Sequence, residues 1–398
     1  MSGPRVLVLT HSLSEVDGVG RYGVGLLREL APLCSGIEVY IGRRHRGLAP
    51  DLPSRGVTVH ETLPTDHFPF LSLPKLAWLL LLSLPELWRA ARRADLVHSF
   101  SDYPMGFVAV LVARLASRPA VVSGHGTYSV TPLDMPVHRR LIRWMFARTD
   151  RFLTGSRYAL SVVGARVRPR GAEVVWYGVT PSDYDAAAAR GRLPGVPRPY
   201  VLCVGEVKQR KGYATSLPAF LRAWSQEPAL HYAIVGRYAA DDRYYQELLR
   251  QVEQAGAQGH VHFLGNVDEP RKVALMRGCA AFMLTPTVSD EGGFEAYGLV
   301  FLEAGAAGRP VLGVRGSGAE DAIADGENGC LREPGDVAGL ADALLSLVRD
   351  PQRAARMGAA GRARAERQTW RAAAARVAAV YGELLGGPAA RPPGGPAP

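Results

Sequence analysis

The sequence predicts an α/β protein made of two halves, each a doubly wound parallel sheet. Three observations lead there. Short runs rich in Val, Ile and Leu alternate with helical patterns along most of the chain. The alternation breaks at Arg190–Tyr200, where prolines and glycines cluster. The length of 398 residues exceeds what one ordinary core supports.

The first half opens with Val6–Leu9, an aliphatic run suited to a buried parallel strand. A glycine-bearing segment follows, then a helical pattern through Val24, Leu26, Leu27 and Leu30. Further strands are expected at Ile37–Ile41, Val57–His60, Leu96–Ser99, Ala120–Ser123 and Phe152–Thr154. Val137–Phe146 reads as an amphipathic helix with Arg139, Arg140 and Arg143 outward. Leu71–Leu87 is unusually apolar, with Pro74 and Pro85 bracketing a run too short to span a bilayer and Arg89, Arg92 and Arg93 just beyond. Residues 71–93 thus fit a helix lying on an anionic membrane surface or one buried against the sheet.

Past Arg190–Tyr200, which reads as the interdomain linker, strands restart at Tyr200–Val204, Tyr232–Val235, Val261–Phe263, Ala281–Leu284 and Pro310–Val314. The last helix, Trp370–Leu385, spaces Trp370, Ala374, Val377, Tyr381 and Leu384 for one buried face. The Gly-, Pro- and Ala-rich tail, 386–398, is expected to be disordered. The expected domains are 1–190, with 366–385 packing back on it, a linker at 191–199, and 200–365.

The composition, 47% apolar and 21% charged, is that of a soluble globular protein. A net charge of +10 suits an anionic partner: a nucleotide, a nucleic acid or an acidic membrane surface. Cys34, Cys203, Cys279 and Cys330 are scattered, without the close pairs that build zinc sites, so buried thiols in a reducing, cytoplasmic compartment are expected. No secretory signal is expected, because Val6–Thr10 is only a short strand followed at once by polar residues.

The richest stretch chemically is Gly292–Gly308, where Glu295 and Glu303 stand eight residues apart. In one helix they would project about 80° apart. The simpler reading places Glu295 in a loop and Glu303 about one turn inside a helix starting at Tyr297–Val300, whose free amides can hold a phosphate. That layout suits a ligand with hydroxyls at both ends and phosphates between, as in a sugar nucleotide; two solvated acids on an amphipathic helix are the plain alternative. Lys208, Arg210 and Lys211 follow the first strand of the second half, at the sheet edge where ligands bind, and fit a diphosphate. In the first half, His125 lies between two glycines at the end of a strand, while His98, ending the preceding strand, has weaker claims.

Gly18, Gly20 and Gly23 also match the G-x-G-x-x-G of dinucleotide-binding folds, with Arg43 and Arg44 placed as an NADP enzyme would have them. In that fingerprint the first glycine directly follows the strand, whereas His11–Asp17 intervene here. The segment reads better as a mobile glycine-rich lip. An NADP-dependent oxidoreductase remains an alternative, as does a non-catalytic basic scaffold.

Taken together, the motifs resemble glycosyltransferase family 4 over roughly residues 1–385. Phe294–Ala304 is similar to the family's E-x7-E segment, followed by Gly308, Pro310 and Val311 as in G-x-P-V. Gly318–Glu320 and Asp325–Gly329 resemble its G-x-x-E and D-G-x-N-G elements, Arg210–Gly212 its R-K-G, and Gly18–Tyr22 its acceptor-side glycine loop. The resemblance implies a GT-B architecture, two Rossmann-like domains facing a central cleft, and a retaining, metal-independent transferase with no cofactor besides its nucleotide-sugar donor. It implies catalytic roles for His125, Glu295, Arg210 and Lys211. Donor-binding roles fall to Gly18, Gly20, Gly205, Lys208, Phe294, Ala296, Tyr297, Gly298, Leu299, Val300 and Glu303, and acceptor-side roles to Arg21 and Tyr22. Glu303 would take the ribose hydroxyls and Glu295 the transferred sugar. No residue is assigned to a metal and no nucleic acid is expected. A greasy, basic first half suits a lipid-linked or cell-envelope hydroxyl acceptor at the inner face of the membrane. In one departure, Glu206 follows Gly205 where the family commonly has arginine, which leaves phosphate binding either to Arg210 and Lys211 alone or to these two with Lys208 in compensation.

Overall fold

The computed structural model describes residues 3–15, 17–43, 49, 51–64, 72–190, 195–289 and 292–386. Arg44, Leu71, most of the proposed tail and residues 191–194 of the expected linker lie outside them. The chain forms two compact units, Met1–Gly178 with Trp370–Pro398, and Val179–Thr369.

Unit 1 contains strands β1 (Arg5–Leu9), β2 (Gly36–Gly42), β3 (Val57–Leu63), β4 (Leu96–Ser99), β5 (Ala120–Gly124), β6 (Arg151–Thr154) and β7 (Ala172–Val174). They form one parallel sheet in the order β3-β2-β1-β4-β5-β6-β7. Its helices are α1 (Gly18–Leu30), α2 (Leu73–Arg93), α3 (Met105–Leu115), α4 (Thr127–Val130), α5 (Pro136–Arg148) and α6 (Arg157–Gly164). Strand order reverses between β1 and β4, so the loops after these strands part and open a crevice at their carboxyl ends.

Unit 2 repeats the scheme. Strands β8 (Tyr200–Val204), β9 (His231–Val235), β10 (Val261–Gly265), β11 (Ala281–Met283), β12 (Val311–Val314) and β13 (Gly329–Arg332) lie in the order β10-β9-β8-β11-β12-β13. Its helices are α7 (Tyr213–Trp224), α8 (Arg243–Gln254), α9 (Glu269–Gly278), α10 (Leu299–Ala306), α11 (Ala319–Ala322), α12 (Val337–Arg349) and α13 (Pro351–Arg367), and α14 (Trp370–Leu384) returns to unit 1. Here the reversal falls between β8 and β11.

The central strands are buried and nearly all aliphatic, as strands covered on both faces must be. In α8, Tyr245, Leu248 and Val252 recur every three or four residues and form the buried stripe, leaving the charges outside. All four cysteines are free, and three are buried.

Two local expectations change, and the apolar helix holds. The chain passes between units at Gly178–Val179, ahead of 191–199. Val179 pairs with Thr369 and donates its N–H to the Gln368 carbonyl at 3.0 Å, so the outgoing and returning segments are joined side by side. Helix α2 runs through Pro85 to Arg93, within the 71–93 expected. The carbonyl deprived of its bond by Pro85 belongs to Leu81, which is 70% exposed, so water can satisfy it. Finally, Gly18, Gly20 and Gly23 are no lip, because all three sit inside α1, capped by the Asp17 carboxylate on the Gly20 amide at 2.8 Å.

Candidate active site

In unit 2 the site is built on loops flanking the β8/β11 reversal. The turn after β8 closes at Gly212, with φ +74°, and its carbonyl accepts the Thr285 hydroxyl at 2.7 Å from the loop after β11. This lock places Lys211 and Arg210 beside Glu295. One carboxylate oxygen, Glu295 Oε2, takes Lys211 Nζ at 2.6 Å and Arg210 Nη1 at 3.0 Å. Burial pushes the Glu295 carboxyl up, but the two cations outweigh it and hold the group below the usual glutamate range. The Lys211 stem lies against Gly205, where an added Cβ would meet it at 3.1–3.5 Å.

Gly298, at φ +74°, turns the chain into α10, and no side chain caps that helix start. The amides of Leu299 and Val300 therefore open the helix as donors suited to an anion. Phe294, Ala296 and Tyr297 have buried side chains, so their reach toward a ligand is through the backbone. Tyr297 donates its hydroxyl to Gln368 Oε1 at 3.1 Å.

Glu303 stands one turn into α10 and is only 5% exposed. Its Oε2 accepts Lys272 Nζ at 3.1 Å, and the same ammonium reaches Glu269 Oε1 at 2.6 Å and sits over the Tyr184 ring at 5.7 Å. Lys272 was not foreseen. In E-P-R-K it reads as one more solvated charge, and its burial arises where α9 brings it to Glu303. Glu206, the departure from the family pattern, is matched by Lys208 at 2.8 Å and by Arg237 at 2.6 Å from the loop after β9. Lys208 thus stands on Glu206 rather than on Glu295.

In unit 1 the loops at the β1/β4 reversal surround His125. Its backbone N–H is held by both oxygens of the buried Asp102, at 2.9 and 3.0 Å, and Ser129 donates to the same carboxylate. Burial raises the Asp102 carboxyl above its ordinary range and lowers His125, although Asp102 pulls His125 the other way. The neutral imidazole has a defined tautomer. Nε2 faces the Phe100 carbonyl at 2.8 Å, which only accepts, so Nε2 carries the proton and Nδ1 accepts from the Tyr177 hydroxyl. Both nitrogens are engaged by protein, and a hydrogen bond from His125 to a sugar requires one partner to be exchanged.

Tyr22 differs from expectation: it is buried, its hydroxyl 2.7 Å from Ser123 Oγ, and it supports His125 from behind rather than presenting a hydroxyl to an acceptor. Arg21 is half-buried on the same helix. Gly20 is needed for packing, since a Cβ there would strike the Ser14 backbone. Arg43 donates Nε to the Thr62 carbonyl at 2.9 Å. With its glycines inside α1, the dinucleotide fingerprint is not formed. Among the described residues no three metal-ligating side chains converge on a metal position, and no helix is long and apolar enough to cross a membrane.

Residues 16–183 match the family described as Glycosyltransferase Family 4, and residues 190–364 match Glycosyl transferases group 1. The GDP-mannose-dependent alpha-(1-6)-phosphatidylinositol monomannoside mannosyltransferase of Mycolicibacterium smegmatis is 31% identical over 322 residues, 77% of this chain and 82% of that protein. The phosphatidyl-myo-inositol mannosyltransferase of Mycobacterium tuberculosis is 30% identical, covering 75% of this chain and 76% of its own. Among solved structures, Anabaena HepE in complex with UDP aligns with TM-score 0.75 at 20% identity, over 95% of this chain and all of that one. Sucrose-phosphate synthase from Thermosynechococcus elongatus also gives 0.75, at 19% identity over 96% of this chain and 99% of its own. The chain belongs to glycosyltransferase family 4 and is a glycosyltransferase of the GT-B fold.

Proposed function

We propose that the chain moves a hexosyl unit from a nucleoside diphosphate sugar to a lipid-linked hydroxyl acceptor, with retention of anomeric configuration and without a metal. The observation that carries this reading is the pairing of Glu295 with Lys211 and Arg210 beside the uncapped start of α10. A diphosphate bears more charge than one carboxylate, so it competes for the two cations while Glu295 turns to the hydroxyls of the sugar. Glu303, held by Lys272, takes the ribose hydroxyls. In the transfer, the bond from the anomeric carbon to phosphate breaks and the bond to the acceptor oxygen forms on the same face. The departing phosphate takes the hydroxyl proton, and Lys211 and Arg210 stabilise its charge.

The mannosyltransferase relatives favour GDP-mannose as the first donor to test and a phosphatidylinositol-type acceptor. UDP-glucose is the second donor, since HepE has been solved with it. Incubation with each donor and inositol-lipid vesicles should release nucleoside diphosphate and yield a glycolipid whose anomeric coupling matches the donor. Absence of release from a wide donor panel, together with no thermal shift by GDP or UDP, would remove the reading. An inverted product would remove retention alone.

The membrane belongs to the same proposal. Helix α2 buries Leu76, Leu79, Leu87 and Ala91 but exposes Trp78, Leu81 and Leu82 at 56%, 70% and 46%, with exposed Lys75, Arg89, Arg92 and Arg93 toward its ends. An apolar stripe flanked by cations suits the boundary of an anionic bilayer. The protein should sediment with phosphatidylglycerol vesicles and not with phosphatidylcholine ones, and the substitution Leu81→Glu should abolish this. Equal binding by wild type and L81E would rule α2 out as the contact.

A further inference from the structure

Behind His125, four buried polar groups form an unbroken hydrogen-bonded chain across unit 1. Tyr22 Oη of α1 lies 2.7 Å from Ser123 Oγ of β5, which lies 2.8 Å from His98 Nε2 of β4, and His98 Nδ1 lies 2.6 Å from Tyr381 Oη of α14. None of the four is more than 3% exposed. Burial, helped by the nearby His125, takes the His98 imidazole down to about 3, so it is neutral. A neutral imidazole has one N–H and one lone pair, so it must donate on one side and accept on the other. His98 therefore links the hydroxyl of the last helix to the hydroxyl next to α1 with a single sense of polarity.

Two members of this arrangement, Tyr22 and His98, bear on His125. The Tyr22 ring meets the His125 ring edge-on, with centroids 4.6 Å apart. The His98 ring packs edge-on against Phe100 at 4.7 Å, and the Phe100 carbonyl accepts the hydrogen bond that His125 Nε2–H donates. His98 thus braces two separate supports of His125 without touching it by hydrogen bond. Helix α14 is seated close to α1, because Trp370 fills the space that a side chain at Gly25 would need. Neither the motifs nor the glycosyl-transfer chemistry calls for a histidine hydrogen-bonded to a residue 283 positions away.

We propose that His98 is a positioning residue for glycosyl transfer, which sets the His125 ring through Tyr22 and Phe100 and is itself set by Tyr381 of the last helix. This rests on the transferase reading above, and on His125 lying near the reacting sugar. The test uses Tyr22→Phe and Tyr381→Phe, each removing one oxygen and no carbon, so the packing of the rings is kept. Each should lower kcat roughly tenfold with the KM for nucleotide sugar within about twofold, because only the transfer geometry is loosened. The thermal shift given by GDP or UDP should stay as in wild type, since unit 2 holds the nucleotide. The double variant should be no slower than the slower single one, as expected for two breaks in one chain. If one variant fails to fold, the other decides, because each opens the chain at a different end. Wild-type kcat in a folded variant would overturn the proposal, and so would a fall in kcat matched by a rise in donor KM and a loss of the thermal shift. A wild-type protein that binds nucleotide and transfers no sugar from any donor would instead defeat the transferase reading.

Discussion

Lys211→Ala should cut turnover on the nucleotide sugar by on the order of a hundredfold while leaving unit 2 folded. Loss of one preorganised charge from a developing oxyanion typically has that size. Lys211 carries the greater share of the effect because its side chain is 11% exposed, against 34% for Arg210, and a screened cation stabilises less. Arg210→Ala should therefore be the milder substitution. Steady-state kinetics with a saturating acceptor read both, and wild-type turnover in the Lys211 variant would sink the assignment of the leaving-group site.

The second large effect is on stability. Gly212→Ala should cost about 3 kcal/mol or more. The residue sits at φ +74°, where a side chain adds about 1–2 kcal/mol, and its new Cβ would be driven into the buried Thr285 carbonyl for a further ~1–3 kcal/mol. For a unit of this size the melting temperature should fall by roughly 6–12 °C. Gly256→Ala is the control: φ is +69°, yet nothing lies within 4 Å of its Cβ position, so only the conformational cost remains. Equal melting temperatures for the two variants would show that the contact between the loops after β8 and β11 carries no strain.

Most of the fold was legible because its signals are local. Val6–Leu9 and Tyr200–Val204 are aliphatic runs bounded by polar turns, and each became a strand at almost those limits. β7 and β13 were not foreseen. Ala172–Val174 holds a glutamate at its centre and Gly329–Arg332 begins at a glycine, so neither shows a strand pattern until a neighbour supplies hydrogen bonds. Pro85 interrupts the apolar run without ending the helix over 71–93, since a proline on an exposed helix face leaves a carbonyl that water can reach. In the site, Glu295, Lys211 and Arg210 were legible because loop acids and clustered cations carry their chemistry in their residue types. Lys272, Asp102 and Tyr177 were not, since each gains its role from a partner that only the packing brings near. Tyr22, to which the family resemblance gives an acceptor-side role, is turned inward by helix α1.

The side-by-side crossing of Val179 and Thr369 has a consequence for synthesis. Unit 2 is an uninterrupted segment, whereas unit 1 is closed by α14, which follows it in the chain. As the chain leaves the ribosome, the first seven strands emerge long before Tyr381 arrives to meet His98. At about 5–20 residues per second the interval is roughly 10–40 s. During that interval the face of α1 that receives Trp370 is uncovered, and unit 2 can complete its core first. The half that appears first is therefore the last to be finished, and an interrupted message would leave an open first domain beside a closed second one.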